Sequence, residues 1–183
     1  MNQRTQFASY EIEAILNDIY GCIEAKLYYP AILIALTVPE FCSGLAMPMT
    51  QFVKQKHYVE FIDTYTEPKD IGATGIDIFR LRGGLVHRGN LAGHAFADWT
   101  HVIFTTPETG PKIHGISLKW GEKKAAMLDV NLFCDAMIKA ARVWYSENSE
   151  NPLVMENMAQ LMRSRPSGVS QFIKGNVVAS GHE

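Results

Sequence analysis

The 183-residue chain predicts a mainly α fold, an antiparallel helical bundle with a small β-hairpin inserted into it. Three observations carry that expectation. Apolar residues recur at steps of three and four over several long segments, the period of one helix face. One segment, residues 28–45, is apolar nearly all round, as suits the central helix of a bundle. Only residues 101–120 switch to β-branched and aromatic residues split by turn formers. Composition agrees: 47% of residues are hydrophobic and 20% charged, which excludes disordered and collagen-like classes. At roughly 150 residues per domain the length predicts one domain with a small excess. That domain is placed at 1–163, with the hairpin insert at about 99–120, and 164–183 is expected to be a mobile tail.

The elements follow in order. Ile12, Ile15, Leu16, Ile19, Ile23 and Leu27 form one stripe of a first helix within residues 8–27. The apolar helix 28–45 contains Pro39, which lacks a backbone donor and is expected to kink or end it. Glu40 comes directly after, a carboxylate in apolar company that needs a partner. Val53, Tyr58, Phe61, Ile62 and Tyr65 define a third helix over 51–65, ending before Pro68. After a loop at 70–75, Ile78, Phe79, Leu81, Leu85 and Val86 restart the helical period over 76–86. Strands at 101–106 and 113–120, joined across Pro107 and Gly110, make the expected hairpin. A long helix over 128–146 carries Val130, Phe133, Met137, Ile138, Ala141 and Trp144, and Asn151 caps a last one at 152–162.

Lys plus Arg number 17 and Asp plus Glu 19, a net charge of −2, so any site for a polyanion has to be local. Cys22, Cys42 and Cys134 are odd in number and sit in apolar stretches, which reads as reduced thiols. Residues 1–6 lack the apolar run of a secretory signal, and no uninterrupted apolar stretch reaches the roughly 20 residues of a membrane span. A cytoplasmic location without a membrane partner is expected. His94, His101 and His114 share no ligand-like spacing with a cysteine, so neither a metal nor a cofactor is expected. Met155, Met158 and Met162 read as packing, and Lys119, Lys123 and Lys124 as a small basic patch at the end of the hairpin.

The chemistry concentrates in residues 80–90, where Arg80, Arg82, His87, Arg88 and Asn90 interrupt an apolar helix. Arginine offers a planar fork of donors that matches phosphate oxygens, and histidine gives and takes protons near neutral pH. At about 100° per residue, Arg80 and His87 share one stripe, whereas Arg82 is offset from His87 by about 140°. Arg82 therefore reaches His87 only through its length or through a distortion that Gly83 and Gly84 would ease. A second reading competes: His87 and Arg88 answer the helix dipole and Gly89 stops the helix. Glu40 has two readings as well, a third member of the site or one half of a buried salt bridge between two helices.

This stretch resembles the HEPN family (higher eukaryotes and prokaryotes nucleotide-binding), whose hallmark is R-x4-6-H near the end of a helix in a four- or five-helix bundle. Arg82 to His87 matches the x4 form and Arg80 to His87 the x6 form. The order of parts is similar too: the apolar helix with Pro39 and Glu40, the motif helix, a hairpin, then the helix around Val130 to Trp144. The likeness covers residues 10–146 and is to a plasmid- and genome-encoded prokaryotic subgroup.

The resemblance implies a metal-independent endoribonuclease of the toxin or abortive-infection (phage-defence) type. In it His87 is the general base or acid at the ribose 2′-hydroxyl or the leaving oxygen and Arg82 braces the phosphate, with Arg80, Arg88, Asn90 and Glu40 in support. Because such cleavage uses both a base and an acid, the resemblance also implies a homodimer with a composite site. RNA is the expected partner, with a cognate antitoxin as a further one. The alternative is a non-catalytic HEPN scaffold that binds a nucleotide, RNA or a protein partner in the same groove. Gly83 stands where many active members carry a polar residue, and Gly89 where some carry a tyrosine that is adenylylated.

Overall fold

The computed structural model describes residues 10–91, 99–110 and 112–181. The fold is mainly α. Its bundle consists of α1 (Tyr10–Glu24), α2 (Tyr28–Leu45), α3 (Gln55–Tyr65), α5 (Gly75–Arg88) and α6 (Val130–Asn148), with the single turn α4 (Pro68–Ile71) and the short α7 (Pro152–Met158) at its side. α2 is central: it packs against α1, α3, α5, α6 and α7. Its all-round apolar sequence follows from that position, since Ala31, Ile32, Ala35, Leu36, Val38, Cys42 and Leu45 are all buried. By length and composition α2 is apolar enough to cross a membrane; here it forms the core of the bundle. Burying a side chain such as Leu36 contributes about 1.5–3 kcal/mol.

Pro39 does not end α2, which runs through it to Leu45. The proline withholds the donor that Ala35 would receive, and in the same turn the carbonyl of Leu36 accepts a hydrogen bond from the buried Tyr58 hydroxyl of α3 at 2.7 Å. Asn157 of α7 closes the far end, its amide donating to the carbonyls of Leu45 (3.0 Å) and Met47 (2.8 Å). α3 and α5 come close together at Gly75, where a Cβ would lie 2.5 Å from Asp63 Oδ1 and 3.1 Å from the Val59 carbonyl.

The sheet corrects the expected hairpin. β1 (His101–Thr105), β2 (Ile116–Trp120) and β3 (Lys123–Asp129) are ordered β1-β3-β2, with β1 parallel and β2 antiparallel to the central β3. The tight turn joins β2 to β3 across Gly121 and Glu122, with Gly121 at φ 60°. β1 and β2 never pair, because the connection between them carries a 3-10 turn, Pro107–Thr109, and is long enough to pass β2 to the other side of β3. The sequence Lys-Lys-Ala-Ala concealed β3, since alanine and lysine are poor strand formers. Burial explains its place: Ala126 and Leu128 are buried, and Phe104 of β1 meets Phe133 of α6 edge to face at 5.4 Å.

Residues 164–181, expected as a mobile tail, fold into short ladders. β4 (Arg163–Arg165) pairs with β7 (Val178–Ser180), and β5 (Gly168–Val169) with β6 (Ile173–Lys174), all antiparallel. An ion pair from Arg163 to Glu11 fastens the first of them to α1.

Candidate functional site

α5 starts where Thr74 accepts the backbone N–H of Asp77 (3.3 Å) and stops at Gly89, whose left-handed φ of 63° lets its N–H reach the Leu85 carbonyl (3.0 Å). The cap expected from Gly89 is thus present. Between these ends the helix is unbroken. Ile78, Leu81 and Leu85 face the core, while Phe79 lies against Tyr58 with ring centroids 5.4 Å apart. These contacts fix the rotation of α5 and set Arg82 opposite Glu40 of α2.

Arg82 is the centre of the group. One Nη donates to Glu40 in an ion pair that joins α2 and α5, and the other lies 3.2 Å from His87 Nε2. The guanidinium spans the 140° offset through its length, with no distortion of the helix at Gly83 or Gly84. A guanidinium only donates, so His87 Nε2 accepts and the ring proton sits on Nδ1, an assignment that rests on arginine chemistry. Glu40 therefore contacts Arg82 and reaches His87 only through it; the site reading and the salt-bridge reading describe the same pair.

Exposure differs sharply within the group. The Arg82 side chain is 18% exposed and that of Glu40 35%, whereas His87 is open to solvent. Arg82 Nε is buried with no hydrogen-bond partner among the described residues, so the guanidinium retains an unused donor. Burial pushes the Tyr58 hydroxyl well above the ordinary tyrosine range, with Arg82 pulling it down and Glu40 pushing it up by smaller amounts. Tyr58 is consequently a neutral donor in the wall behind the pair.

Arg80, Arg88 and Asn90 are exposed around the same helix end. Arg80 makes no ion pair with a described residue. The chain folds back over the last turn of α5, and the Asn90 carbonyl comes within 3.1 Å of where a Cβ on Gly84 would stand. Gly84 is thus required by a backbone approach, whereas a Cβ on Gly83 would meet nothing within 4 Å.

Among the described residues, the other histidines are held elsewhere, His57 Nδ1 accepting the backbone N–H of Lys54 at 3.1 Å. His114 bridges two backbones, Nε2 to the Asp70 carbonyl (3.0 Å) and Nδ1 to the N–H of Asp129 (3.0 Å). His101 Nδ1 lies 2.8 Å from the Thr100 hydroxyl, and His94 is outside the described residues. Among the described residues no group of three or more His, Cys, Asp or Glu side chains is placed to hold a metal ion. A cleft of about 340 Å³ between α3, α4 and α6, lined by Asp63, Lys69, His114, Asp135 and Lys139 among others, contains none of the motif residues. Asp135 and Lys139 carry no signal in the sequence, since they occur singly on a regular helix.

No family model matches the chain, and neither a curated protein nor a solved structure does.

Proposed function

We propose that the protein is a HEPN-type, metal-independent endoribonuclease that works as a homodimer in the cytoplasm, in the manner of toxins and phage-defence effectors held by an antitoxin. The observation that carries this reading is the 3.2 Å contact between Arg82 and His87 at an exposed helix end, with Arg82 anchored by Glu40. In the reaction the ribose O2′ bonds to the adjacent phosphorus while its proton passes to His87, and the P–O5′ bond breaks. The leaving O5′ takes a proton from an acid, for which the His87 of a second copy is the candidate. The products are a 2′,3′-cyclic phosphate and a 5′-hydroxyl. Arg82 donates to the phosphoryl oxygens as charge builds there, and exposed Arg80 and Arg88 hold neighbouring phosphates.

This chemistry gives the Glu40 pair a role in sequence. With Arg82 against His87 Nε2, the basic nitrogen is covered. A phosphate competes with both Glu40 and His87 for the guanidinium, so its arrival recruits Arg82 and releases the base. The same covering favours a second reading, a scaffold that binds RNA, a nucleotide or a protein partner without cutting. Purified protein incubated with mixed RNA in EDTA separates the two. The nuclease reading expects degradation by the wild type and none by His87→Ala or Arg82→Ala. RNA left equally intact by wild type and His87→Ala, together with unaffected growth of an expressing host, excludes it.

A further inference from the structure

β2 is an edge strand, and each of its five residues is exposed. Its outer face carries Ile116, Leu118 and Trp120, which are 47%, 52% and 86% exposed. Ile103 of β1, 44% exposed, lies in the same cross-strand row as Ile116, because both are registered with Met127 of β3. Apolar side chains so placed extend the sheet's outer face as a stripe rather than as scattered residues. On the opposite face the register sets Lys119 directly across from Lys124, whereas Lys123, paired with Trp120, stands at the end of the apolar face. Like charges in directly opposed positions destabilise a ladder, and within residues 119–124 the one acidic residue is Glu122 in the turn.

We propose that β2 is a docking edge for an extended peptide in which apolar and acidic residues alternate. An added antiparallel strand would use for hydrogen bonds the side of the β2 backbone that pairs with no other described strand. Its alternate side chains would fall into two rows, one over Ile116, Leu118 and Trp120 and the other beside Lys119 and Lys124. Carboxylates in the second row would answer the opposed lysines. A second copy of this chain is a poor occupant, because pairing β2 with itself brings the Lys119 and Lys124 pairs of both copies to one face. Single-stranded RNA would use Trp120 and the lysines but leave Ile116, Leu118 and the backbone edge unanswered. This inference is independent of the nuclease reading.

The test uses the full chain and a short fluorescein-labelled peptide alternating glutamate and valine, with a block peptide of the same composition as control. Anisotropy should show binding of the alternating peptide at least about tenfold tighter than the block peptide. Leu118→Glu, and Lys119→Glu with Lys124→Glu, should each weaken it by about tenfold or more. Leu118 and Lys119 are exposed and Lys124 is half-buried, and circular dichroism checks that the fold is kept. Amide hydrogen exchange should slow at residues 116–120 when the peptide binds. Equal binding of both peptides, absence of binding, unchanged exchange at 116–120, or displacement by a poly-uridine strand that depends on Trp120 would each overturn the proposal.

Discussion

Arg82 holds two partners with one guanidinium, and it is largely buried while His87 beside it is not. Removing the charge of Glu40 therefore has two consequences with different readouts. Glu40→Gln should lower stability by about 1–3 kcal/mol, since a mostly buried cation loses its counter-charge. The proposed reading also expects the variant to bind uncleaved RNA more tightly, because Arg82 is released toward phosphate; a purely structural pair would lose stability with RNA binding unchanged. Titration of an RNA bearing 2′-O-methyl groups, alongside urea unfolding, measures both. The thiols make a simpler case. Burial raises Cys42 well above the ordinary thiol value and pushes Cys134 up to about 12, which leaves little thiolate on either at pH 8. Iodoacetamide should leave both unmodified in the native protein and alkylate both in urea, as mass mapping would show.

Among the elements, α5 tests glycine in two contrasting settings. Gly75→Ala would place a methyl 2.5 Å from Asp63 Oδ1 and 3.1 Å from the Val59 carbonyl, so it should destabilise by about 1–3 kcal/mol. Gly83→Ala meets nothing within 4 Å and should stabilise by about 0.5–1 kcal/mol. Urea midpoints shifting in opposite directions would establish both. The same helix shows how much the sequence revealed. Its period and its Gly89 stop were legible, because helix geometry fixes which side chains share a face; the Arg82–His87 contact runs across that geometry, which puts Arg80 on the His87 stripe, and depends on the length of the Arg82 side chain. Glu40 stood out as a carboxylate in an apolar helix, but its choice of Arg82 depended on how α2 meets α5. β3 was hidden, since its lysines and alanines carry no strand preference and only burial against α6 selects them. The ladders after Arg163 likewise depend on an ion pair to Glu11, more than a hundred positions away in sequence.

Taken as a whole molecule, the protein packs its helices and sheet around one apolar core and adds a few polar fasteners. Arg142 of α6 grips Glu13 of α1 with two hydrogen bonds of 2.8 Å, and this contact is the main cause that raises the arginine's pKa. Near the sheet, the Tyr28 hydroxyl donates to Glu108 at 2.7–2.8 Å, with Lys26 3.2 Å away. The Tyr28 bond, with smaller help from backbone, Thr106 and Lys26, holds the Glu108 carboxyl down at about 2. A depressed carboxylate contributes stability that is present above its unfolded value and lost as the pH falls toward its folded one. The link should therefore weaken between about pH 4.5 and pH 2, and Glu108→Gln should flatten the acid limb of the stability curve in that window.

The net charge of −2 conceals the local cationic end of α5, and two such ends facing across a dimer axis would reinforce each other. Sedimentation that returns a strict monomer would remove the composite site. The most direct test of the central claim is the chemistry of the ends left on cut RNA. With EDTA present, the account predicts 2′,3′-cyclic phosphate and 5′-hydroxyl termini from the wild type and no cut ends from His87→Ala. Ends bearing a 3′-hydroxyl and a 5′-phosphate, or the same cyclic ends from His87→Ala, would contradict it.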